Sequence, residues 1–153
     1  MSVDDDNVVA VWDMQNLGGQ AMIRVDIPMD EEKVEGSIIT RLYTPQFLSN
    51  EPDNHRFVFC ALSSGNIYIL DWKTGVFSPN VINYSQMYHQ RKSDSVSDIK
   101  THPTLMHRML IAYEETAVII YSLNKNREIQ QINFGEYDLD KGKALAVEFA
   151  SSE

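Results

Sequence analysis

His102 and His107 stand five residues apart across Pro103, and two imidazoles at such a separation can in principle share a divalent cation. No cysteine accompanies them and the spacing spans a strand-connecting loop, so they read as ordinary loop histidines. Asp94 and Asp98 flank a short strand and could form a carboxylate pair for acid–base work. No nucleophile accompanies them, and their expected role is hydrogen bonding between neighbouring elements or contact with water. Gly18-Gly19 lacks the third glycine and the following helix of a dinucleotide-binding loop and reads as a turn. Arg91 and Lys92 before Ser93 make a small basic site that a kinase could read, set in a polar loop. Cys60, the only cysteine, lies in an apolar run, which excludes an internal disulfide and fits a reducing compartment and a core position. The pattern assigns no catalytic, cofactor-binding or metal-ligating residue, and it names no partner-binding residue.

The whole composition limits partners in the same direction. A chain of 153 residues with 43% hydrophobic content has room for one globular domain, and its net charge of -9 disfavours nucleic acid and anionic membranes, which ask for clustered Lys and Arg. Protein partners are expected. Met1 to Asn7 carries three aspartates instead of a basic segment and apolar run, and no stretch of about 18 apolar residues follows, so the expected location is cytoplasmic.

The elements that would hold these residues are strands. Phe57 to Leu62 (FVFCAL) is apolar throughout, as for a strand buried on both faces. Ser63 to Asn66 (SSGN) is turn chemistry, with Gly65 and Asn66 tolerant of positive φ, and Ile67 to Trp72 (IYILDW) returns and closes on Asp-Trp. Met109 to Tyr113, a turn at Glu114 to Thr116, and Ala117 to Leu123 repeat the hairpin, and Val8 to Met14 (VVAVWDM) is a further apolar strand ending in Trp-Asp. Ser37 to Pro45 and Ser95 to Pro103 are strands preceding the two hairpins. Ala21 to Ile27, an irregular Val76 to Tyr84 and Glu128 to Phe134 follow as outer strands, and Ala144 to Ala150 reads as one more inner strand. Asp13, Asp71 and Ser122 fall in register, with spacings of about 58 and 51 residues against the roughly 40 to 45 of a compact propeller blade. Ile69 and Ile119 are expected to be equivalent buried positions.

The expected fold is therefore all-β: a partial WD40-like β-propeller over 1-153, with blade portions 8-28, 38-85, 95-134 and 144-151. Two whole blades and a half blade at each end do not close a ring of roughly four to eight, so the chain is expected to be part of a larger propeller or to complete itself with another chain. An irregular β-sandwich is the alternative, since periodicity does not separate stacked blades from packed sheets.

ALSSGNIYILD followed by VFSPNVINYSQMY, the strand VSDIKTHPT, and MLIAYEETAVIIYSL together resemble the amino-terminal propeller of the lethal giant larvae and tomosyn family, which includes the yeast exocytic members. Ala112 stands where that family usually has glycine, Ser122 where a strand-terminal Asp is common, and Glu115 where the turn usually has glycine. The resemblance implies a non-catalytic scaffold without cofactor that contacts syntaxin- and SNAP-25-class SNAREs, a Rab GTPase and the exocyst. It further implies regulation of polarised exocytosis from the cytoplasm and, through partners, at the plasma membrane. The family's SNARE-like carboxy-terminal segment and basic serine-rich loop have no counterpart among these residues. A generic WD-repeat scaffold of another multiprotein complex is the alternative function.

Overall fold

In a computed structural model of the chain, residues 2–3, 8–11, 23–27, 37–44, 56–87, 93–105, 107–134 and 143–150 are described. The central hairpin forms where the apolar runs place it, from β5 (Phe57–Leu62) and β6 (Ile67–Asp71). In the turn between them only Gly65 takes a positive φ, at 91°, while Asn66 uses its side chain, whose Oδ1 accepts from the Tyr84 amide at 3.0 Å. β4 (Ile39–Tyr43) pairs with β5, and β7, shortened to Val76–Phe77, pairs with β6, giving an antiparallel sheet of order β4-β5-β6-β7. Past Pro79 the expected outer strand fails. Ile82 makes a single bridge to Ile67, and Tyr84–Met87 is one helical turn, α1, capped by Asn83 Oδ1 accepting from the Ser85 amide.

A second antiparallel sheet, β11-β10-β9-β8, is built from β8 (Val96–Thr101), β9 (Arg108–Tyr113), β10 (Ala117–Ser122) and β11 (Arg127–Asn133). A third has three strands, β1 (Ser2–Val3), β2 (Val8–Val11) and β3 (Ile23–Asp26). β1 lies in the acidic leader, where no strand is expected, and Trp12 to Met14 fall outside the described residues. The Ala144 to Ala150 expectation is corrected: the segment carries no strand assignment, because no described strand offers it a ladder.

The central sheet is buried on both faces, as the unbroken apolar run of β5 requires. Val58, Cys60, Leu62, Tyr68 and Leu70 share one cluster with Val9 and Ile27, whereas Phe59, Ala61 and Ile67 share the other with Ile99, Met109, Ile111, Tyr113, Ile119 and Tyr121. Fully burying each large aliphatic side chain of this set is worth about 1.5–3 kcal/mol.

The two four-stranded sheets superpose in sequence with one offset. Ala61 pairs with Ile67 as Ala112 pairs with Val118, and the Trp72 amide donates to Arg56 O as the Leu123 amide donates to His107 O. The turns after β6 and β10 also correspond, with positive φ at Gly75 (70°) and at Asn126 (47°), a residue type that tolerates it. This register corrects the expected equivalence of Ile69 and Ile119. Ile69 corresponds to Ile120 and Tyr68 to Ile119, and a one-residue slip moves a strand side chain to the opposite face. Ile119 is wholly buried, while Ile69 is only half-buried against the same cluster.

Candidate interaction surface

The residues just ahead of β4 and β8 fold back to clip the hairpin turn of their own sheet. The Ser63 amide donates to Ile38 O at 2.8 Å and the Ser64 amide to Ser37 Oγ at 3.3 Å. At the corresponding positions the Glu114 amide donates to Ser95 O at 2.9 Å, and the Glu115 amide donates to Asp94 Oδ2 at 3.1 Å. Thr116 Oγ1 adds a donor to Asp94 Oδ2 at 2.7 Å. Burial outweighs these donors and pushes the Asp94 carboxyl above its ordinary range. The same stretch joins the two sheets. Gly65 lies under the Asp94 carbonyl, the Tyr113 hydroxyl donates to Gly65 O at 3.1 Å, and the Tyr84 and Tyr113 rings lie 4.8 Å apart.

Asp98 does not join Asp94. Its Oδ1 accepts from the Ile99 amide and lies 3.8 Å from Arg41 on β4, and its Oδ2 accepts from the Val147 amide at 3.2 Å. Lys143 Nζ bonds Glu114 at 2.7 Å, which raises the lysine pKa, and the Ala144 amide donates to Glu114 O. Segment 143–150 thus leans on the β9–β10 turn as the Asp94 segment leans on the β5–β6 turn.

His102 is engaged by its own loop. Nδ1 accepts from the Thr104 and Leu105 amides at 3.2 and 3.1 Å, and the ring lies tilted against Phe149, with centroids 4.6 Å apart. His107 uses its backbone carbonyl to hold Leu123. Gly18, Gly19, Arg91 and Lys92 lie outside the described residues, and Ser93 is exposed. The Cys60 thiol is buried and pushed up to about 12 by desolvation. Asp71, at the end of β6, receives hydrogen bonds from Arg56 and the Lys73 amide, which hold its carboxyl down at about 2. Burial also raises the Tyr121 pKa.

Among the described residues one cleft of about 200 Å³ lies between α1 and the β10–β11 turn, lined by Asn83, Gln86, Met87, Tyr121, Asn126, Arg127 and Glu128. Amides, a thioether and one charge of each sign suit contact with a polypeptide side chain. Sequence alone did not single out this cleft; Asn83 as a helix cap was the available signal. Among the described residues no helix is long and apolar enough to cross a membrane. No protein-family model matches the chain, and no curated protein matches it.

Proposed function

We propose that this chain forms consecutive blades of a WD40-like propeller and acts as a non-catalytic protein-interaction scaffold of the lethal giant larvae and tomosyn type. In this reading it regulates SNARE-dependent vesicle exocytosis and cell polarity from the cytoplasm through syntaxin-class SNAREs and a Rab GTPase. The observation that carries the blade reading is the repeated clip. Two four-stranded antiparallel meanders each have a strand-leading residue, Ser37 or Asp94, bonded to their own hairpin turn at matching register. Contact of β4 with β8, through Arg41–Asp98 and the Thr101 amide donating to the Tyr43 hydroxyl, supports stacking of units by their first strands, as around a propeller axis. Among the described residues Asp94 and His102 are engaged in holding a turn and a loop, and the net charge of -9 suits protein partners with basic patches. The SNARE assignment rests on the sequence resemblance alone.

Titration calorimetry of the purified chain with the cytosolic region of a syntaxin-class SNARE, and with a GTP-loaded Rab, tests the function. Saturable binding to at least one is expected. Heat indistinguishable from dilution for both would remove the trafficking assignment and leave a scaffold of another complex.

A further inference from the structure

We infer that the cleft between α1 and the β10–β11 turn is a contact site for one basic side chain, lysine or arginine, presented by a partner polypeptide. The inference rests on the scaffold reading above and gives that reading a place and a chemistry of contact. Size comes first. At about 200 Å³ the cleft falls below the roughly 300–1,000 Å³ of sites that enclose a small-molecule ligand, and one long side chain suits it better.

The ladder decides which charge the cleft presents. Tyr121 pairs with Glu128 across β10 and β11, and Ser122 pairs with Arg127. Directly opposed residues share a face and successive ones alternate. Glu128 therefore stands on the face of Tyr121, which belongs to the buried cluster that Met87 packs against, and Arg127 is turned to the other face. The charge beside Met87 and Tyr121 is thus the anion. Glu128 is exposed, and its carboxylate has no hydrogen bond or ion pair among the described residues. The net charge of -9 works in the same direction by drawing basic segments to the chain.

The α1 wall supplies the complement of a main chain. Asn83 Oδ1 accepts from the Ser85 amide at 3.0 Å and from the Ser85 hydroxyl at 2.8 Å, which fixes the orientation of the carboxamide and leaves the Nδ2 hydrogens to donate at the cleft wall. Gln86 adds a second carboxamide on the same helical turn. The Tyr121 hydroxyl is already spent on Asn126 Oδ1 at 2.9 Å. Donor amides and the Met87 thioether on one wall and a carboxylate on the other match the carbonyl, aliphatic stem and cationic head of a lysine or arginine residue. An acidic side chain would instead meet Glu128 as a like charge.

Heteronuclear NMR of the whole chain, titrated in moderate salt with capped peptides of glycine and serine around one central residue, tests this. The central residue is lysine, norleucine or glutamate. The lysine peptide is expected to bind saturably at millimolar concentration and to shift the amides of Met87, Tyr121 and Glu128 most. It should bind about three- to fivefold more tightly than the norleucine peptide, the size of a partly exposed ion pair. Glu128→Gln, an exposed and nearly isosteric change that should leave the urea transition in place, is expected to erase that preference. Glu148→Gln, which removes the same charge outside the cleft, should preserve it. Absence of saturable shifts, shifts centred elsewhere, glutamate bound as tightly as lysine, a preference that survives Glu128→Gln, or one that Glu148→Gln removes equally would each overturn the inference. The SNARE titration is read separately: lysine bound in the cleft without SNARE binding removes only the trafficking assignment, and SNARE binding by a chain whose cleft ignores lysine removes only the cleft.

Discussion

Gly65→Ala probes the joint between the two four-stranded sheets at one atom. A Cβ added at Gly65 would sit 2.6 Å from the Asp94 carbonyl oxygen and 2.8 and 2.9 Å from Tyr84 Cγ and Cβ. The carbonyl is backbone, fixed by the clip that Asp94 and Ser95 make to the β9–β10 turn, so it cannot swing aside as a flexible side chain would. Two costs add. A positive φ of 91° costs an L-residue about 1–2 kcal/mol, and overpacking against a fixed neighbour costs about 1–3 kcal/mol. The expected destabilisation is about 3 kcal/mol, or roughly 6–12 °C in melting temperature for a chain of this size. Gly75→Ala is the internal control. It shares the positive φ, at 70°, in the turn after β6, so it should lose only about 1 kcal/mol. Urea titration followed by circular dichroism measures both variants. Equal losses would show that Asp94 does not rest on Gly65, and the joint between the sheets would have to lie elsewhere.

Asp71→Asn tests the acid limb of stability. With its folded carboxyl held at about 2 by Arg56, Asp71 contributes stability that is complete above the unfolded value near 4 and is lost as pH falls from there toward 2. The variant should lose about 1–2 kcal/mol at neutral pH and only a small remainder near pH 2; an equal loss at both would exclude the ion pair as the cause. Asp94, raised by burial, has the opposite slope, so stability should decline as pH rises from about 4 through its folded value, a trend that Asp94→Ser should abolish in urea titrations across pH. Cys60, buried and pushed up to about 12, should resist a thiol reagent in the folded protein and react at the rate of unfolding; immediate labelling would contradict its place in the core. Ile119→Asp should cost at least about 3 kcal/mol by burying a charge, while half-buried Ile69→Asp should cost clearly less, and equal melting temperatures would contradict the assigned faces.

The two hairpins were legible because their signals are local. In the first, six apolar residues, a glycine-bearing turn and a second apolar run leave little choice of strand and reversal, and in the second the polar Glu114 to Thr116 between two apolar runs does the same; the continuous run at Phe57 to Leu62 also announced burial on both faces. The face of each residue was less secure. Alternation has period two, so matching Ile69 to Ile119 instead of Ile120 inverted the comparison, and both choices look apolar in the sequence. Asp94 read as a candidate carboxylate with no assigned partner, because the groups it binds, Glu115 and Thr116, are 21 and 22 residues away and meet it only when β8 and β9 pair. β1 was illegible for the same reason: two residues carry no period, and Ser2 and Val3 become a strand only beside Ala10 and Val9.

Segment 144–150 shows how a strand can be written in a sequence and still not be one among the described residues. Its alternation is β-like, and its amides at Ala144 and Val147 are already aimed at Glu114 and Asp98 in the place that a first strand would occupy. A strand is a property of a pair, since ladder hydrogen bonds define it and a lone extended segment forgoes them. The β4–β7 and β8–β11 sheets meet that requirement within themselves, each with its leading residue bonded to its own turn, the β1-β2-β3 sheet meets it with three strands, and among the described residues no strand pairs with this segment. Local pattern therefore reports what a segment can become. Which neighbour completes it is decided by contacts far along the chain, which the pattern of a single segment does not carry.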